Sequence, residues 1–189
     1  MAASYGATAK AFHWLTVLGI VIVVPLGIAM LNVGPGETQN SLFDLHRSVG
    51  FVIFVLAAAR LLWRLSHPPP PLPADLPGWQ QAAALATHWV LYALLFTVPV
   101  LGWLGSSYFG AAVSVFGLFT LPVPVAQDRA VAETVLAFHV WGVITLGALV
   151  ALHMGAALHH HFVRRDDVLA RMLPGRHGAP ERSTRHPTA

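Results

Sequence analysis

The chain has 189 residues, 56% of them hydrophobic and 10% charged, against roughly 25% charged in a typical soluble domain. A soluble globular protein is excluded, and the length allows about four membrane spans with short connections. Eight acids against eleven Lys and Arg give a formal charge of +3, and no nucleic-acid partner is expected. The absence of cysteine excludes disulfides, thiolate metal sites, iron–sulfur clusters and covalently attached haem. Histidine, by contrast, occurs eleven times.

The first apolar run, residues 11–31, follows Lys10 and is long enough to span a bilayer as a helix. A signal peptide also opens with a basic residue before an apolar stretch. This run is too long for a typical signal core, however, and carries His13 near its start. Pro25 and Gly27 would bend it or let a neighbour approach, which membrane helices tolerate. Residues 32–45 contain Glu37 and Asp44, no Lys or Arg, and the turn signals Gly34, Pro35 and Gly36, so they are expected as an outer loop.

The second span is expected over residues 46–64, opening at His46-Arg47-Ser48-Val49-Gly50 and closing with Arg60 and Arg64. Gly50 lies one turn after His46, where a missing side chain would admit a flat macrocycle or simply pack a neighbouring helix. Residues 66–78 hold six prolines and read as an extended linker. A third span over residues 81–104 includes His88, Trp89 and Tyr92, with Pro99 as a kink. Residues 109–121 are apolar but too short to span, which suits an interfacial or re-entrant piece. The fourth span, residues 133–161, carries His139 and His153 and ends in His159, His160 and His161 before Arg164 and Arg165. Residues 166–173 read as a short basic amphipathic piece. One transmembrane domain over residues 1–173 and a disordered cytoplasmic tail over 174–189 are therefore expected.

With both ends cytoplasmic, nine of the eleven basic residues lie inside and only Arg47 and Arg129 outside, a strong positive-inside bias. Alternation of spans then sets the depth of each histidine. His13 and His153 lie nearer the cytoplasm, while His46 and His139 begin helices that enter from the outer side. His139 and His153 are fourteen residues apart, about 21 Å along a helix and within about 40° of one another around it. Ionisable residues inside a span are functional candidates by default.

Two imidazole pairs at two depths, with no thiolate and no intramembrane acid, suit six-coordinate b-type haem better than zinc, which gathers three or four ligands at one point. The expected fold is all-α: a transmembrane four-helix bundle with two haem b groups held between helices.

The residues also carry a resemblance. Ala11-Phe12-His13-Trp14-Leu15, Leu45-His46-Arg47-Ser48-Val49-Gly50, His88-Trp89-Val90-Leu91-Tyr92 with Pro99 and Gly102-Trp103, and Leu152-His153 followed by His159-His160-His161-Phe162 resemble the bacterial cytochrome b561 family over about residues 5–173. The architecture is also similar to the di-haem b subunits of hydrogenases and formate dehydrogenases. The resemblance implies that His13 and His153 ligate the iron of a cytoplasmic-side haem, and His46 and His139 that of a periplasmic-side haem, in a bacterial inner membrane. Arg47 stands where the family often has Lys, which preserves charge but not hydrogen-bond geometry.

Some members look like superoxide oxidases, in which superoxide at the periplasmic face reduces ubiquinone near the cytoplasmic side. On that reading Arg47 and Arg129 steer the anion; the alternative is pairing with haem propionates or with Asp44 and Glu133. His160, seven residues after His153 and about 10 Å further along the same face, is a candidate for the quinone site. His88 is a second candidate, or a haem ligand if the pairing differs. His159 and His161 read as interfacial anchors, and His67, His177 and His186 as solvated. Two other functions fit less well: a quinone-linked cytochrome b subunit serving a protein redox partner, and a His-rich metal transporter.

Overall fold

A bilayer offers no water to a bare backbone, so a chain this apolar must cross as helices that satisfy their own amides. A computed structural model of the protein describes residues 4–73 and 75–175. It contains α1 (Ala7–Asn32), α2 (Glu37–Ser66), α3 (Gly78–Tyr108) and α4 (Arg129–His159), with a two-stranded antiparallel hairpin, β1 (Ser114–Val115) and β2 (Phe119–Thr120), between α3 and α4. All four helices are long and apolar enough to cross a membrane, and their outward faces present Leu18, Val21, Leu31 and Leu62. The fold is an all-α transmembrane four-helix bundle. α1 and α3 run through Pro25 and Pro99 without interruption.

The helix ends differ from the expected spans for local reasons. Residues 37–45, expected as loop, are the first turns of α2; the reversal is confined to Gly34, Pro35 and Gly36, the last at φ 155° and ψ −172°, a region essentially restricted to glycine. Glu37 then sets a carboxylate at the helix N-terminus, where the dipole favours it. α4 begins at Arg129, four residues before its expected start, because the Asp128 side chain accepts the Val131 amide at 3.1 Å as an N-cap. His46 and His139 therefore lie nine and ten residues inside their helices rather than at their beginnings. Residues 68–73 of the linker carry no regular secondary structure, and residues 166–173 form turns that fold back on the N-terminal segment. There Trp14 Nε1 donates to the Met172 carbonyl at 2.9 Å and Ser4 Oγ to that of Arg171 at 3.0 Å. The expected tail from residue 176 onward, with His177 and His186, lies outside the described residues.

Packing leaves a cleft. α1 packs on α2, α2 on α3 and α3 on α4, but no Cα of α1 or α2 comes within 8 Å of one in α4. Well-packed helix pairs have axes about 8–10 Å apart, so α4 stands off from α1 and α2. An apolar cluster of Ile53, Ala57, Leu95 and Leu146 closes the cleft at mid-height; Leu146 is midway in sequence between His139 and His153.

The short apolar segment 109–121 becomes the β-hairpin, which turns through Phe116 at φ 49° and Gly117 at φ 72°. It is fastened to α2 by Ser48, 1% exposed. The Ser48 hydroxyl accepts the Phe116 amide at 2.9 Å and shares its hydrogen between the carbonyls of Asp44 at 2.8 Å and Ser114 at 3.2 Å. A buried amide left without its acceptor costs about 1–3 kcal/mol. Ser48→Ala is accordingly expected to destabilise the protein by about that amount, with faster amide exchange at Phe116. Thermal unfolding in detergent and hydrogen exchange check it.

Candidate functional site

Four histidines meet as two pairs across the cleft. At the hairpin end His46 of α2 faces His139 of α4, ring centroids 6.2 Å apart; toward the other end His13 of α1 faces His153 of α4, centroids 6.4 Å apart. Two metal–imidazole bonds of about 2.0–2.1 Å each, plus the offset from each nitrogen to its ring centre, come to roughly this span. Each pair could therefore hold one metal ion between its rings. The described residues contain no gathering of three or more His, Asp or Glu that could hold a bare ion.

The hairpin-end pair is aimed by the helix preceding each histidine. His46 Nδ1 donates to the Val23 carbonyl of α1 at 3.0 Å, and His139 Nδ1 to the Val98 carbonyl of α3 at 2.9 Å. A carbonyl only accepts, so Nδ1 carries the proton and Nε2 keeps a lone pair for a metal. In each case the residue four positions after the acceptor is glycine. A Cβ on Gly27 would lie 3.1 Å from His46 Cε1, and one on Gly102 3.1 Å from both Cε1 and Nδ1 of His139. The Nδ1–Cε1 edge of each ring thus approaches a helix made bare at that turn, in the same way for His46 on α1 and His139 on α3.

Between these rings is a cavity of about 510 Å³ lined by His46, His139, Arg47, Gly50, Phe54 and Trp103, within the range of small-molecule and cofactor sites. A Cβ on Gly50 would meet nothing within 4 Å, so this glycine faces open space and not a packed helix. A flat group fits these features, and His46 and His139 are the residues that would hold it.

At the other level a third imidazole joins the pair: His88 of α3 lies 5.2 Å from His153, centroid to centroid, with its Nδ1 bonded to the Ala84 carbonyl of its own helix at 2.6 Å. His13 Nδ1 is buried and has no hydrogen-bond partner among the described residues. Arg60 stands within electrostatic reach of His13, His88 and His153, its guanidinium over the Tyr92 ring at 5.4 Å. A cation in this position suits an anionic substituent on whatever group lies there. Arg60 is not singled out by the sequence reading, although a signal exists: it follows His46 by fourteen residues, the interval that separates His139 from His153.

The remaining candidates separate by position. Arg47 lines the cavity, pairs with Asp44 at 3.4 Å and lies over the Phe43 ring. Arg129 is largely exposed at the start of α4, paired with Glu133 at 3.0 Å and over Phe109. His160 begins a π-helical turn, His160–Arg164, that continues α4, and its Nδ1 meets the Asp166 carboxylate at 2.5 Å. His67 stacks on Trp63, centroids 3.8 Å apart.

Comparison with known proteins places the chain in a family. The family model for prokaryotic cytochrome b561 matches residues 4–175. The chain is 37% identical to cytochrome b561 homolog 2 of Escherichia coli (strain K12) over 171 residues, covering 89% of this chain and 90% of the relative. It is 31% identical to the probable superoxide oxidase CybB of Yersinia pestis over 166 residues, 88% and 93% of the two chains. Cytochrome b561 homolog 1 of E. coli is 29% identical over 168 residues, 87% and 93%. The chain belongs to the prokaryotic cytochrome b561 family, which implies membrane electron transfer through b-type haem.

The glycine cradles give a direct check. Gly102→Val forces a branched side chain against the His139 ring, an overpacking that costs about 1–3 kcal/mol. Its haem content per chain, read in reduced-minus-oxidised visible spectra, is expected to fall, with Gly27→Val behaving alike.

Proposed function

We propose that this prokaryotic cytochrome b561 is a superoxide:ubiquinone oxidoreductase of the bacterial inner membrane. Superoxide would be oxidised at the periplasmic face and ubiquinone reduced near the cytoplasmic side, with the two histidine pairs holding two haem b groups that would supply the redox chemistry between them. The observation that carries this reading is the facing of two imidazole pairs at two levels of one cleft, α4 contributing a ring to each. The likeness to a probable superoxide oxidase supports the choice of donor, and nine of eleven basic residues on one side support cytoplasmic termini.

His46 and His139 would hold the periplasmic-side haem, and His13 and His153 the cytoplasmic-side one. When bound, these groups supply one-electron redox chemistry that no side chain here offers. The chain's own residues do the rest. Val23 and Val98 fix the tautomers of the hairpin-end ligands. Arg47, at the wall of the periplasmic cavity, draws a small anion and raises its local concentration; Arg129 adds a weaker, solvated charge at the rim. Arg60 balances negative charge at the cytoplasmic level. The Ile53, Ala57, Leu95 and Leu146 cluster keeps water out of the space between levels. His160 and His88 sit at the end where quinone is reduced, His160 as the group that moves a proton. For every two superoxide anions oxidised to dioxygen, one quinone takes two electrons and two protons and leaves as quinol.

Rapid mixing of the purified haem-loaded protein with superoxide should reduce the haem, and added ubiquinone should reoxidise it. No haem reduction by superoxide would favour a cytochrome b subunit fed by a protein donor. His46→Ala or His139→Ala should remove the periplasmic-side haem and abolish the reaction. His160→Ala should keep both haems and slow reoxidation by quinone. Arg47→Gln is expected to lower the second-order rate with superoxide about 10-fold at low salt and to flatten its salt dependence, with a smaller effect from Arg129→Gln.

A further inference from the structure

The end of α4 doubles back on itself. After the π-helical turn, Arg165 takes a left-handed conformation at φ 58° and ψ 34°, uncommon for a residue with a side chain and kept only where the surroundings fix it. An uninterrupted α-helix would carry residue 166 about 9 Å beyond His160 and roughly 120° around from it. Instead the Asp166 amide donates to the His160 carbonyl at 3.1 Å, and its Oδ2 accepts from His160 Nδ1 at 2.5 Å and from Arg164 Nε at 3.3 Å. Oδ1 accepts the Val168 amide at 3.1 Å.

The surroundings of this pair are charged and ordered. Arg164 also holds Asp75, in the proline linker, at 2.8 Å. Next along, Arg171 pairs with Asp167 at 2.8 Å and donates to the Pro71 carbonyl at 2.7 Å. His159 lies edge-on to His160 with centroids 6.2 Å apart. Desolvation works to raise the Asp166 carboxyl, but hydrogen bonds from His160, the Val168 amide and Arg164 outweigh it and hold the group below its ordinary value. Asp166 is thus an anion at neutral pH. A carboxylate can only accept, so His160 keeps its Nδ1 proton and presents Nε2 as its exchangeable site.

We infer that Asp166 is the positioning residue for proton delivery: it fixes the tautomer and orientation of His160, and balances its charge, so that Nε2 donates to the quinone. This rests on the reading that quinone is reduced at this end of the bundle. With each electron that reaches the quinone, the His160 Nε2–H bond breaks and an O–H bond forms at a quinone oxygen, and His160 regains its proton from cytoplasmic water. Two such rounds supply the two protons of the quinol. Asp166 keeps its charge throughout, as an orienting carboxylate does beside a catalytic imidazole.

The test mixes pre-reduced, haem-loaded protein with a short-chain ubiquinone and follows haem reoxidation between about pH 5 and 8. Asp166→Asn, whose side-chain oxygen can still take the Val168 amide, should keep the wild-type haem spectrum and slow reoxidation at least about 10-fold. Its pH profile should differ from that of the wild type, because the ring would lack its counter-ion. Asp166→Glu, which retains the anion, should be slower but keep the wild-type profile. Wild-type rate and profile in Asp166→Asn, with His160→Ala slow, would overturn the role of Asp166, as would an Asn-like profile in Asp166→Glu. Wild-type reoxidation in His160→Ala would instead overturn the placement of quinone reduction at His160.

Discussion

In a membrane helix most carbonyls already accept the amide four residues on, so a side chain that bonds to such a carbonyl must find a turn where a second donor can approach. His46 and His139 meet that constraint in the same way. Each donates to a carbonyl of the preceding helix, and each lies where the residue four positions later is glycine. The bond fixes the tautomer, and the tautomer determines which nitrogen is free for a metal. It also ties the helices in pairs: α1 aims the histidine of α2, and α3 that of α4. The stand-off between α4 and the first two helices is the space these aimed rings share.

The histidine pairing is legible in the sequence because it follows from coarse quantities. Helical rise, alternation of spans and the distribution of Arg and Lys put His13 level with His153 and His46 level with His139. The limits of α2 are less legible, because polar residues such as Thr38, Gln39 and Asn40 read as loop when hydropathy is the criterion, although a helix outside lipid accepts them. Residues 109–121 are too short for a span, but the hairpin they form depends on Ser48, far away in sequence. Asp166 is hidden for a related reason: nothing in the residue string says that Arg165 turns left-handed and returns the chain to His160. Arg60 could have been found by spacing, had the fourteen-residue interval of α4 been laid along α2.

The two ends of the bundle differ in chemistry. The hairpin end has a roomy cavity with a cation in its wall and a pair of imidazoles held through Nδ1. The other end has three imidazoles, a guanidinium, and a turned helix end tied to the linker through Arg164 and Asp75. A site that only exchanges electrons needs little beyond the first arrangement. A site that also moves protons needs titratable groups, and under the proposed function the second arrangement would supply them.

The apolar cluster at mid-height has a consequence beyond packing. Ile53, Ala57, Leu95 and Leu146 offer no donor or acceptor through which a proton could hop, while electrons need no such chain. In the proposed orientation, negative charge would cross the cleft inward while the neutralising protons come from the cytoplasm. Each electron would then add to an inside-negative membrane potential, at about 2.3 kcal/mol of work per 100 mV for a full crossing. Removing superoxide would charge the membrane as well as detoxify its outer face.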